Sequence, residues 1–324
     1  MNKFYIYIAR TILSLLKIFN LKRIFIAKIH FNLGLNNIII LSQKFDKIKD
    51  ISETECKVYS QNGEDGIINY LISKLEIYKP NFIEIGVGSY IEANTRFLYE
   101  RFYTKGLIID CEKNLKEKVS SNVNLWKGDL RIIEAFVNVE NINTLISKNC
   151  NFEVDIFSLD IDGIDYWILD EIKDIHPKII IAEYNPIFGN KLEITVPNIS
   201  NFDRKEYHYS QLCYGMSLMA LIKIMNRKKY YYIGSNSACN NAFFVSNNFT
   251  KEKYFKNLII KDLSYYVNSN IRESRNENGK LNFLTGEKRI QQIKDCKVVD
   301  LSDDKKSIVS IANLVNKYSI NLNL

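Results

Sequence analysis

Beyond Asp46 the chain alternates short apolar runs with helical patterns, and this alternation narrows the folds open to it more than any other feature. Strand candidates are Phe82 to Ile85, Leu107 to Ile109, Val123 to Trp126, Ile156 to Leu159 and Ile179 to Ala182, followed by Tyr230 to Ile233 and Ala242 to Val245. Helical patterns over Asn94 to Phe102, Asn114 to Ser120, Ile142 to Lys148, Asp165 to Lys173 and Ser217 to Lys228 separate most of them. Such a βαβ series implies an α/β fold with a doubly wound, mostly parallel sheet. Only Gly234 to Asn241 stands between the last two strands; that is too short for a helical crossover, so these two are expected to be antiparallel. The expected layout is a helical segment over 1–50, the α/β domain over 51–249 and a small extension over 250–324. In the extension, a polar run from Arg272 to Lys280 precedes an apolar-periodic stretch from Ser307 to Tyr318.

Charge is placed unevenly. Residues 1–45 hold Lys3, Arg10, Lys17, Lys22, Arg23, Lys28 and Lys44 and no acid; removing these seven from 44 Lys and Arg leaves 37 bases against 37 acids. The formal +7 therefore belongs to this segment, and the main domain lacks the net positive charge that would hold nucleic-acid phosphates. At about 100° per residue, Lys3, Arg10, Lys17 and Lys28 form one stripe and isoleucine, leucine and phenylalanine fill much of the remainder. The uncharged stretch Thr11 to Leu16 is far short of the ~18 to 20 apolar residues of a membrane span. Two readings stand: a helical segment lying on the inner face of the cytoplasmic membrane, or one whose apolar side packs on the domain. Six scattered cysteines with no C-x-x-C pair, and three scattered histidines, suggest neither a zinc site nor a disulfide framework, and reduced thiols fit the cytoplasm.

Chemistry collects at the predicted strand ends. Glu84-Ile85-Gly86-Val87-Gly88 ends the first strand in a glycine turn, where a ligand can approach the backbone closely. It is not a G-x-G-x-x-G fingerprint, since Ile91 stands where the third glycine would be, and no P-loop occurs in the chain. Asp110, with Glu112 in reserve, follows the second strand, where an acid can accept both ribose hydroxyls. Asp129, taken to follow the third strand, is placed either on an adenine amino group or in an exposed turn. Asp160-Ile161-Asp162-Gly163-Ile164-Asp165 follows the fourth strand; two acids two residues apart there can converge on one ligand or on a divalent cation. Gly163 is fourth in this run, not sixth, so an EF-hand is not supported. The D-x-D spelling also suits a metal-dependent glycosyltransferase, and Asp165 suits a helix cap. Glu183 and Asn185 end the fifth strand. Asp160, Asp162, Glu183 and His208 compete as the proton acceptor, and the long loop from Gly189 to Tyr214 reads as a lid or acceptor-binding insertion.

In order along the chain, Tyr59-Ser60-Gln61-Asn62-Gly63-Glu64-Asp65-Gly66, the Glu84 to Gly88 turn, Gly106 to Asp110, Ser158 to Trp167, Ile181 to Asn185 and Asn241-Ala242-Phe243-Phe244-Val245 resemble the FkbM-related class I methyltransferases. The resemblance spans residues 57–246, with Val87 where many members carry Asn. It implies a Rossmann-like sheet of seven strands with the last antiparallel, and S-adenosylmethionine as cofactor. Glu84, Gly86 and Gly88 would then line its methionine and ribose part, with Asp110 on the ribose and Asp129 on the adenine. The reaction read from the residues and the resemblance together is O-methylation of a sugar or glycolipid precursor of bacterial surface polysaccharide, with Asp160 or Asp162 near the transfer point and Glu183, Asn185 and Asp165 orienting the acceptor. The alternatives are the glycosyltransferase and a non-catalytic scaffold in glycan assembly.

Overall fold

The computed structural model describes residues 25–269, 273–303 and 305–317. The first 24 residues of the basic segment, part of the Arg272 to Lys280 run and the end of the Ser307 to Tyr318 stretch lie outside the described residues.

The strands are β1 (Phe82–Ile85), β2 (Lys105–Asp110), β3 (Asp129–Glu134), β4 (Ile156–Leu159), β5 (Ile179–Glu183), β6 (Ile194–Thr195), β7 (Tyr230–Ser235), β8 (Asn241–Ser246), β9 (Lys297–Asp300) and β10 (Ile308–Ser310). Seven of them form a sheet in the order β3-β2-β1-β4-β5-β8-β7. β1 to β5 run parallel in this sheet, while β8 is antiparallel to both β5 and β7. This is the doubly wound, Rossmann-like arrangement with the last strand reversed. Its central strands are buried on both faces, as sheets covered by helices are. Alternation divides them: Ile83, Ile85, Leu107, Ile109, Phe157 and Leu159 join one core cluster, whereas Phe82, Ile108, Ile156, Ile179, Ile181 and Phe243 join the other.

The third strand departs from expectation. Val123 to Trp126 is no strand: it leads into the 3₁₀ turn Leu125–Lys127, with Trp126 on the surface, and β3 begins at Asp129. As the edge of the sheet, β3 is only partly covered, so its residues read too polar to be recognised as a strand. The loop after Gly189 also carries structure. It contributes β6 to a second sheet, ordered β10-β9-β6, and the short helix Arg204–Tyr207. Residues of the C-terminal region, among them Ile293, Val298, Leu301 and Leu314, are buried in the same core cluster as β1 and β4.

The helix Phe25–Ser42 has 18 residues and by length and composition alone could cross a membrane. Its uncharged run, Ile29 to Gln43, is longer than Thr11 to Leu16. One side of it nonetheless packs on the domain through Phe31, Leu35 and Ile38.

Candidate active site

Parallel pairing brings the carboxyl ends of β1, β2, β4 and β5 to one edge. Ile85 stands level with Ile109 and with Leu159, and Leu159 with Ala182. Reversal of β8 puts its first residue at the same edge, so Asn241 is paired with Glu183. A cavity of about 670 Å³ opens there, lined by Glu84, Gly86, Gly88, Asp110, Asp160 and Asp162 among others. Its size falls within the ~300 to 1,000 Å³ of small-ligand sites.

The glycine turn is built by close approach. The Gly86 amide donates to Ile109 O at 2.9 Å, and the Asp160 amide to Ile85 O at 3.0 Å. Gly86 has φ of 85°, and a Cβ there would stand 1.5 Å from the carbonyl oxygen of Asp160, so no other residue fits. Gly88, with φ of 51°, donates its amide to Asp110 Oδ2 at 2.7 Å, while Asp110 Oδ1 accepts the Glu112 amide at 2.8 Å. Both oxygens keep further lone pairs for a ligand. Glu112 pairs with Lys118 and does not line the cavity.

Glu84 lines the cavity, but its oxygens accept the Asn94 amide at 2.8 Å, the Thr95 amide at 2.9 Å and the Thr95 hydroxyl. It thereby fixes the segment that forms one wall. Burial pushes its pKa up to about 7 in spite of these bonds.

Asp160, Asp162 and Glu183 each bring a carboxylate oxygen within 4.8 Å of the others. The carboxyl groups of Asp160 and Glu183 are therefore close enough to feel one another's charge. Burial first, and neighbouring carboxylates second, hold both well above the ordinary carboxyl range, so this pair keeps a proton where an isolated carboxyl has lost it. Asp162 sits in the left-handed region and pairs with Arg204, whose guanidinium offsets part of the rise that burial produces.

Four expected site residues are placed elsewhere or otherwise engaged. Asp129 is the first residue of β3, level with Lys105 at the amino edge of the sheet, so it stands at the far end of the strand from the cavity. Ala135, Phe136 and Val137, beyond the other end of β3, line the cavity instead. Asp165 is buried and accepts the amides of Ile161 and Gly163 at 3.0 and 2.9 Å, holding the loop rather than facing an acceptor. The buried Asn185 amide donates to the carbonyls of Leu212 and Tyr214 at 2.8 and 3.0 Å and accepts from Ile187 N at 3.0 Å; it pins the insertion. His208 bonds Ser210 through Nδ1 at 2.7 Å, does not line the cavity and is held below its ordinary pKa by burial.

The Ser60 to Gly66 stretch has a role that spacing alone does not reveal. Asp65 Oδ2 accepts the amides of Val58, Tyr59 and Ser60 and the Ser60 hydroxyl, closing the turn that brings Gln61 to the cavity. Buried Glu64 accepts the side-chain amides of Asn236 and Asn241 at 2.8 and 3.0 Å, tying this turn to the start of β8. Asn241 lines the cavity, and its Oδ1 is buried without a partner among the described residues.

No protein-family profile and no curated protein matches the chain. Among solved structures, it is similar to an S-adenosylmethionine-dependent methyltransferase from Clostridium acetobutylicum, at 9% identity over 56% of this chain and 88% of that one, with a TM-score of 0.33. It is also similar to PKMT2 from Rickettsia typhi in complex with AdoHcy, at 12% identity over 55% and 51% of the two chains and a TM-score of 0.37. A further similar structure is the O-methyltransferase from Bacillus cereus in complex with SAH, at 13% identity over 54% and 78% and a TM-score of 0.33. At this identity and overlap, the chemistry of this chain rests on its own cavity residues.

Proposed function

We propose that this protein is an S-adenosylmethionine-dependent O-methyltransferase acting on a sugar or glycolipid precursor of bacterial surface polysaccharide, in line with the FkbM-like order of its motifs. The observation that carries the reading is the Gly86–Gly88 turn against Asp110: a carboxylate fixed by two backbone amides, with lone pairs left over, beside a backbone stripped of side chains. That combination suits a ribose diol next to a small polar tail. The unpartnered Asn241 Oδ1 suits a donor group of the same ligand, such as an ammonium. Phe136 offers an apolar wall beyond β3 for a base.

S-adenosylmethionine supplies a methyl group already activated on a sulfonium, so the protein mainly holds donor and acceptor in line and takes up one proton. Asp160, lining the cavity with the Glu183 carboxyl close by, is the group we assign to accept it from the attacking hydroxyl. A pKa raised toward the working pH makes a carboxylate a stronger base than it is in water. The carboxylate cluster also favours the positive charge of the donor. A divalent cation is a subsidiary reading: the three carboxylates are close enough to hold one, but Arg204 already brings a positive charge to Asp162.

Calorimetric titration with S-adenosylmethionine and S-adenosylhomocysteine tests the reading. Micromolar binding of both, unchanged by EDTA, is expected. Binding of a nucleotide sugar with Mn²⁺ and of neither adenosyl ligand overturns it in favour of glycosyl transfer.

A further inference from the structure

The helix Phe25–Ser42 is apolar on two opposite sides. Toward the domain, Ile38 is buried against Val58, Tyr59 and Phe97, and a Cβ on Gly34 would lie 2.6 Å from Val58 Cγ2, so the contact is close. Away from the domain, Phe25, Ile26, Ile29, Leu33 and Ile40 fall within one sector of about 100°. Each of these five is between 42 and 65% exposed. Isolated exposed apolar residues are ordinary, but five aligned along one helix, with only the exposed Asn36 between Leu33 and Ile40 in the same sector, form an apolar face that has no partner among the described residues.

We propose that this face lies in the headgroup boundary of an anionic bilayer, parallel to its surface. Charge selects the occupant: residues 1–45 hold seven bases and no acid, and Lys28 and Lys44 are exposed on or beside the helix. A second copy of the chain would bring an equally basic segment against this one, whereas anionic lipid neutralises it. The helix lies on the membrane and does not span it, because crossing would strip Ile38 and Gly34 from the Val58 contact. Docking here would hold the domain beside membrane-bound molecules independently of what its cavity binds.

The test is flotation of the full chain with vesicles of phosphatidylcholine alone or with phosphatidylglycerol added. The expected result is binding to the anionic vesicles at least about tenfold stronger than to the neutral ones, and weaker in high salt. Ile29→Glu combined with Leu33→Glu should reduce that binding about tenfold or more at unchanged Tm, and the milder Leu33→Ser by a smaller factor. The proposal is overturned if the native chain floats with neither vesicle, or if both variants bind as the native chain does. It is equally overturned if sedimentation equilibrium shows a dimer that the double variant dissociates.

Discussion

Gly88 donates its amide to Asp110 Oδ2 across 2.7 Å, joining the turn after β1 to the end of β2. The bond orients the carboxylate before any ligand arrives, so little side-chain freedom is lost on binding. Asp110→Ala should therefore weaken S-adenosylhomocysteine by ~1.5 to 3 kcal/mol, the range for a hydrogen bond to a charged group. Calorimetry reads this directly; an unchanged Kd would remove Asp110 from the site.

Asp160→Asn keeps the shape of the side chain and removes the base. Turnover should fall about 10²- to 10⁴-fold, while the Kd for the donor changes little. The native rate should rise with pH through a midpoint above the usual carboxyl range, because the base must lose the proton that burial makes it keep. After burial, the charge of Asp162 is the largest cause of that rise, so Asp162→Asn should move the midpoint to lower pH. A pH–rate profile that is flat in the native enzyme would exclude Asp160 as the base.

Asn185 serves as a strut. Its removal leaves the buried carbonyls of Leu212 and Tyr214 and the amide of Ile187 short of a partner, so Asn185→Ala should lower stability by about 3 kcal/mol. Denaturant unfolding measures it. Donor affinity in the folded variant should be native, in contrast to Asp110→Ala.

Stability should decline from mildly acid to mildly alkaline pH. Burial raises Glu84 to about 7 and Asp65 and Asp165 to about 6, above their values in an unfolded chain. The folded state then holds protons that the unfolded state has released, so the stabilisation is complete below pH 4 and is lost as pH rises through 6 to 7. Asp300 is shifted the opposite way but acts only below the ordinary carboxyl range, and the half-exposed His208, held below its ordinary pKa, is a single group opposing three fully buried acids. A Tm that is higher at pH 8 than at about pH 5.5 would contradict this sign.

Residue order alone determined the strands with apolar runs, their alternation with helices and the reversal of β8, since a sheet covered on both faces demands continuous apolar segments and a short connection forbids a crossover. It also placed Gly86, Gly88, Asp110 and Asp160 at strand ends, because in parallel strands those ends share one edge. Tertiary structure alone decided where β3 begins. An edge strand is covered on one side by little, so Asp129 looked like the end of a strand when it is the start. Only the fold, likewise, could separate polar residues that face the cavity from those bonded elsewhere. Asn185 lies just past a strand end as Asp160 does, and Asp165 opens the helix after β4, but their hydrogen bonds run to backbone groups brought close by the loops around them. The partnership of Glu64 with Asn236 and Asn241 joins residues more than 170 positions apart, and no local pattern encodes a contact that exists only once the sheet has closed.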